Sequence, residues 1–536
     1  MLKTYTYPKF EYRRPEDLDC TTVRRHPVLI VGAGPVGLAL AIELRLKKLS
    51  VIVIDEDNTV SVGSRGVCYA KRTLEILDRL GVGDRVVEKG VAWNVGRTFF
   101  HEDEVYRFDL VTDPDHERPG MLNLQQYYLE EYLVERAQAV GVELRFKQQV
   151  LSVDAHEEGA TLEVQSPDGR YQISTDWLIA ADGARSPIRR ALHLDVEGHV
   201  FQDRFLIADV LMKAGFPPQR WFWFDPPFHP NQSVLLHRQA DDVWRIDFQL
   251  GWEADPEVEK QPDRVIPRIR AMLGAEHEFE LEWISVYTFQ CRRMAQFRHG
   301  RVLFVGDSAH QVSPFGARGA NSGIQDADNI GWKLDLVLRG AAPQTLLDTY
   351  HEERAYAADE NLLNSTRSTD FITPKSPISR VFRNAVLELA EHHAFAQRLV
   401  NSGRLSVPAC YTHSRLNTPD LDAFAGHLTP GTPADDAPLP DGSWLLRQLA
   451  GGFTLLYFVD PGRRVDAEIA ALTALVDDDI SINLVLVAAI GAARSRYDAH
   501  HGTLYLLRPD QHVAARWRQM DLTRIRAAVR RACDLH

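Results

Sequence analysis

No C-x-x-C pair occurs in this 536-residue sequence, and its five cysteines (Cys20, Cys68, Cys291, Cys410 and Cys533) are scattered and odd in number. That suits reduced thiols in a reducing compartment better than a disulfide framework or a zinc site. No run of basic residues exists, and the formal net charge of −13 leaves no extended surface for nucleic acid. The longest uncharged stretch, residues 28–42, is too short and too glycine-punctuated to span a bilayer. The first residues, "MLKTYTYPKFEYRRPEDLDC", lack the apolar core of a secretion signal. A cytoplasmic chain without membrane association is expected. No short-period repeat is present.

What is there is globular in kind: 45% hydrophobic and 25% charged residues, with length for two to four domains. "PVLIVGAGPVGLALAIEL" begins as an apolar run, breaks at glycines and continues with helical composition, and "VIVID" at 51–55 is a second buried strand. Strand, glycine turn, helix and strand in about thirty residues make a βαβ unit. Gly32, Gly34 and Gly37 fit G-x-G-x-x-G: the first permits the turn, the second lets a pyrophosphate approach, and the third lets helix and strand pack. Asp55, ending the second strand, is placed to accept from adenosine ribose hydroxyls.

Further along, "WLIAADGARSPIRRAL" repeats the buried strand, glycine turn and helix. Residues 200–290 turn β-rich and aromatic ("RWFWF", "VWRIDFQL"), and "RVLFVGD" restores the α/β style. Six prolines mark a loop-rich stretch over 404–442, after which a small α/β module follows. The expected organisation is an extension (1–26), a discontinuous nucleotide-binding domain (27–199 and 291–402), an inserted antiparallel-sheet domain (200–290), a linker (403–437) and a terminal module (438–536).

"GDSAHQVSPFGARGANSGIQDADN", residues 306–329, places Gly316, Gly319 and Gly323 among small residues between a strand and a helix. A simple nicotinamide enzyme has no use for a second acidic glycine-rich turn so far downstream. FAD does, because its ribitol wants a carboxylate and its flavin wants backbone amides. With a single G-x-G-x-x-G, a nicotinamide cofactor would bind only transiently against the FAD domain.

Together "GAGPVG", "ADGARS" and "GDSAHQVSPFGARGANSGIQDADNIGWKL" resemble the single-component FAD-dependent aromatic hydroxylases, the group of p-hydroxybenzoate hydroxylase. With "LLRPDQHVAARW" near the end, the order is most similar to the phenol hydroxylase and 3-hydroxyphenylpropionate hydroxylase branch. The resemblance implies a Rossmann-like FAD domain, the inserted β-sheet as substrate domain and a thioredoxin-like C-terminal domain, excluded from dithiol exchange by its lack of C-x-x-C.

The same resemblance implies residue roles. Asp307 would bind the ribitol, Pro314 would lie at the reactive face of the isoalloxazine, and backbone N–H groups of Gly319, Ala320 and Asn321 would hold its pyrimidine edge. Arg65 matches an arginine near the FAD phosphates and Gln126 a glutamine that opens the following helix. Asp182 belongs to a motif tied to both FAD and NAD(P)H, and Arg185 and Arg189 would receive the phosphates of NADPH or NADH. Where many relatives read G-G-x-G, this chain has Gly316-Ala317-Arg318-Gly319, which leaves Arg318 to face substrate, cofactor or solvent. The implied reaction is hydroxylation of a phenolic compound, such as a hydroxylated aromatic acid, by NAD(P)H and O2 through a flavin C4a-hydroperoxide, in a homodimer. Halogenation or epoxidation would keep the same motifs, as would a FAD-loaded binding protein without turnover.

Other residues carry weaker signals. His310 is read as orienting its loop. Trp221 and Trp223 share the W-x-W of flavin-dependent halogenases but not its continuation, and they are read as core. His237, Arg238 and Arg245 are the substrate candidates on the inserted sheet. No flavin motif lies after about residue 440, so the terminal module is expected to be peripheral to FAD binding.

Overall fold

The apolar run before the first glycine turn is buried because it forms the centre of a parallel sheet. In the computed structural model, which describes residues 2–110, 115–274, 277–401, 405–449, 451–474 and 480–535, Arg24–Val31 pairs in parallel with Val51–Ile54 on one side and Gly169–Ala180 on the other. Glu143–Arg145 and Val302–Phe304 extend the sheet, also in parallel. Such strands are covered on both faces, which is why they read as unbroken apolar runs. Five helices matter below: α1 (Pro35–Leu46), α2 (Lys71–Leu80), α3 (Gln126–Ala139), α4 (Gly319–Leu338) and α5 (Asp348–Ile372).

The second sheet runs in the order His310–Gln311, Glu280–Arg293, Glu197–Leu211, Val243–Leu250, Ser233–Arg238, Arg220–Phe224, Val95–Phe100 and Asp103–Asp109. The inserted domain is therefore larger than 200–290. It takes two strands from the preceding segment, because Val95–Phe100 pairs in parallel with Arg220–Phe224, and a short one from the 310–311 turn. Trp221 and Trp223 pack against Phe99, at ring separations of 5.6 and 5.1 Å, as half-buried residues on the edge of the core.

The C-terminal module is a β-α-β-α-β-β-α unit whose four strands lie in the order second, first, third, fourth. Its first two strands are parallel and the others antiparallel, which is the thioredoxin-like arrangement. It packs directly on the nucleotide-binding domain. Trp332 and Leu336 of α4 share one apolar core with Phe453, Leu455, Leu504 and Trp517 of the module, so its removal would uncover the helix that follows the third glycine turn. The N-terminal extension is also tied down. Tyr5 stacks on Tyr127 of α3 at 4.2 Å, and the Tyr7 hydroxyl accepts from the Gly63 N–H at 2.8 Å. Among the described residues no helix is long and apolar enough to cross a membrane.

Candidate active site

The three glycine turns follow three neighbouring parallel strands, at the carboxyl edge where open α/β sheets bind ligands. Backbone and side-chain bonds lash them together. Ala181 N–H donates to Val31 O at 2.9 Å and Val305 N–H to Ala180 O at 3.1 Å. Ser308 Oγ donates to Ala180 O at 2.6 Å. Gly32 sits at φ +111°, and a Cβ on it would overlap Ala181 O, so no other residue fits that turn.

Other glycines face open space. A Cβ on Gly34 or Gly183 would meet nothing within 4 Å, and one on Gly319 only Val312 Cγ2 at 3.7 Å. Gly34 caps α1 and Arg318 caps α4 with no side-chain hydrogen bond to either helix end. Their first N–H groups have no intrahelical acceptor and carry the positive end of the helix dipole. Asp307 lies exposed at the bottom of this edge, although packed protein around it raises its carboxyl above the ordinary range. No group among the described residues donates to that carboxylate. Open backbone, uncapped helix ends and an unsatisfied acceptor are what the phosphates, flavin edge and ribitol of FAD require; the residues fit the cofactor.

The remaining cofactor candidates divide. Asp55 braces the first turn, accepting from Ala33 N–H at 2.6 Å and Asp57 N–H at 2.8 Å; burial pushes its carboxyl up to about 6. Asp182 caps the helix of its own turn through Ser186 Oγ at 2.8 Å and Ile188 N–H at 3.0 Å, while its Oδ1 is buried without a partner. Gln126 opens α3 and accepts from Gly66 N–H at 2.8 Å, which places it behind the exposed Arg65. Arg185 is exposed. Arg189 is not: its guanidinium donates to Ser308 O at 2.7 Å and Ala184 O at 2.8 Å, bracing two turns rather than facing a phosphate.

In the third turn Pro314 is exposed, and Ala320 is half-buried at the start of α4. The Asn321 side chain is buried and reaches across to the 68–70 strand, accepting from Ala70 N–H at 2.8 Å and donating to Cys68 O at 2.9 Å. Arg318 faces neither solvent nor the open edge; it donates to Asn361 Oδ1 of α5 at 2.5 Å and to Leu405 O at 3.2 Å. His310 does orient the loop, with Nε2 2.6 Å from Asp326 Oδ2 of α4.

Phe315, unremarked in the sequence, anchors this loop to the second sheet. Its ring packs edge-on against Phe205 at 5.0 Å and Phe289 at 5.1 Å. The sheet face that receives it has a charged half as well. His237 and Arg245 are register partners there; Arg245 Nε donates to Asp247 Oδ1 at 3.0 Å and its Nη1 to Ser64 O. His237 Nδ1 lies 3.8 Å from Cys68 Sγ, and burial, then Arg220 and Arg245, holds its imidazole well below the ordinary histidine range. Burial also lowers Arg220 to about 10 and raises Cys68 to about 12. Asp209 bonds Ser64 Oγ, and burial pushes its carboxyl up to about 7 despite Arg245. Arg238 alternates to the opposite face and pairs with Asp242 at 2.8 Å, so it stands apart from this group.

Residues 25–365 match the FAD binding domain family. A 12-dehydrotetracycline 5-monooxygenase/anhydrotetracycline 6-monooxygenase of Streptomyces rimosus is 30% identical over 413 residues, 74% of this chain and 80% of that protein. A 3-(3-hydroxy-phenyl)propionate/3-hydroxycinnamic acid hydroxylase of Mycolicibacterium smegmatis is 27% identical over 91% of this chain and 90% of its own length. The crystal structure of the flavin-dependent monooxygenase PieE in complex with FAD and substrate superposes with a TM-score of 0.80 at 24% identity, covering 96% of this chain and 100% of PieE, a likeness of fold.

Proposed function

The chain belongs to the FAD binding domain family and is a flavin-dependent monooxygenase, and from that premise we propose that it hydroxylates a phenolic aromatic compound, with NADH or NADPH as hydride donor. The observation that carries this reading is the single sheet face that offers aromatic rings (Phe205, Phe222, Phe289) beside buried guanidiniums and an imidazole (Arg220, Arg245, His237). A hydroxylated ring has the same two halves. The segment 64–70 touches both the charged half and the third glycine turn, through Cys68 against His237 and against Asn321.

The roles follow from position. Gly34 and the start of α1 would take the pyrophosphate of FAD, with Asp55 on the adenosine ribose. Asp307 would accept from the ribitol, and the N–H groups of Gly319, Ala320 and Asn321 would donate to the flavin edge beside Pro314. Bound FAD supplies acceptance of hydride and activation of O2. Arg185 and Arg65, both exposed, are the guanidiniums open to phosphate. His237, on the same face, would accept a hydrogen bond from the phenol hydroxyl, while Arg220 and Arg245 would stabilise the phenolate or a ring carboxylate. A deprotonated ring is the better nucleophile toward oxygen. The packed sheet face excludes the water that would divert reducing equivalents to H2O2.

The test is a panel of phenols and hydroxylated aromatic acids scored for acceleration of NADH or NADPH oxidation and for a product that gains one oxygen atom. No acceleration across the panel by FAD-loaded protein would remove this reading. His237→Ala should then lower kcat for phenols more than it alters FAD retention.

A further inference from the structure

The "RPDQH" turn of the C-terminal module, residues 508–512, is buried among charges of the FAD domain. Arg508 is 1% exposed. Its guanidinium forks onto Glu353 of α5, at 2.6 and 3.0 Å, and Glu353 in turn accepts from Lys333 of α4 at 2.8 Å. From the other side Arg72 of α2 donates to Gln511 Oε1 and Asp510 O, each at 2.8 Å.

The next residue of α5, Arg354, carries the connection to the third glycine turn. It donates to Asp326 Oδ1 at 2.6 Å and to Ser322 O at 3.0 Å. The other oxygen of Asp326 accepts from Gly306 N–H at 2.9 Å, next to Asp307. Arg354 also donates to the Tyr411 hydroxyl at 2.7 Å, and the Tyr411 ring stacks on His512 at 4.7 Å.

Apolar contacts would hold the module as firmly. Replacing a buried ion network by well-packed hydrophobic residues is often neutral or stabilising, and in some proteins such a network instead fixes one register between the parts it joins. Here the parts are the module and the two ends of the loop 306–322. We propose that the 508–512 turn is a positioning element of the flavin loop: it holds α5 through Glu353 and Tyr411, and α5 holds Gly306 and Ser322 through Arg354 and Asp326. This rests on the reading that FAD lies along that loop.

The experiment uses the full-length FAD-loaded protein and reads the FAD dissociation constant, the visible flavin spectrum and Tm. Arg508→Met should loosen FAD about tenfold and shift the flavin bands, with Arg508→Lys recovering part of the loss. Arg516→Met is the control: Arg516 is also buried, but it bonds Asp420 and Leu428 O, and its loss should lower Tm while leaving FAD affinity within about twofold. Folded Arg508→Met with wild-type affinity and spectrum would overturn the proposal. Should that variant not fold, Tyr411→Phe decides, with FAD loosened about threefold expected and unchanged affinity contradicting it. Asp307→Ala separates the two readings: if it leaves FAD affinity intact, the placement of FAD has failed, and if it alone loosens FAD, only the coupling has.

Discussion

Gly323 lies so close to Val36 that a Cβ on it would stand 2.5 Å from Val36 Cγ2. Gly306 crowds the same methyl, at 3.1 Å. The bare backbone of the third turn thus has two separate uses. Gly306 and Gly323 let this turn and α4 press against the start of α1, whereas Gly34 and Gly319 face open space. Gly323→Ala should therefore act on the protein itself. Overpacking of this kind costs about 1–3 kcal/mol, to be read from chemical denaturation of the apoprotein.

Gly319→Ala should do the reverse. Gly319 is the first residue of α4 and has no positive φ, so a side chain there is not strained by the backbone, and its Cβ meets only Val312 at 3.7 Å. Apoprotein Tm should hold or rise, since alanine in a helix is favoured over glycine by up to about 1 kcal/mol. FAD affinity should fall, because the methyl enters the space assigned to the flavin. Unchanged FAD binding would place the ring elsewhere.

Asp307→Ala should leave the fold alone, as no protein donor is lost, but weaken FAD. A hydrogen bond to a charged group contributes roughly 1.5–3 kcal/mol, so the dissociation constant should rise roughly 10- to 100-fold. Fluorescence titration of apoprotein with FAD measures it.

Asp209 gives a pH signature. Burial raises its carboxyl from the ordinary 3.8 to about 7, so between those values the folded protein retains a proton that the unfolded chain has released. The contribution of Asp209 to stability is present below the lower value and lost as pH rises through the upper one. Wild type should lose urea resistance relative to Asp209→Asn between pH 5 and 8. An equal difference at both pH values would contradict the assignment.

The nucleotide-binding core was legible because its information is local: Gly32, Gly34, Gly37 and Asp55 lie within one βαβ unit, and the turns at Asp182 and Asp307 each follow a buried strand. What stayed hidden depends on partners distant in sequence. Nothing in "VGRTFF" announces a parallel pairing with "RWFWF". Arg189 reads as an exposed phosphate ligand until the carbonyls of Ala184 and Ser308 are seen to hold it. Arg318 differs from glycine in the motif, yet its destination is Asn361 on a later helix. No flavin motif lies in the terminal module, and its bonds to the nucleotide-binding domain, such as Arg508 against Glu353, are pairings that no local pattern encodes.

The central claim is tested most directly by isotope. With a phenol that accelerates NAD(P)H oxidation, turnover under 18O2 in ordinary water should place one 18O atom in the product ring for each coupled NAD(P)H consumed, the second oxygen leaving as water. Turnover under ordinary O2 in H2 18O should place none. Product without label from 18O2, or with label drawn from water, would contradict monooxygenation of the ring.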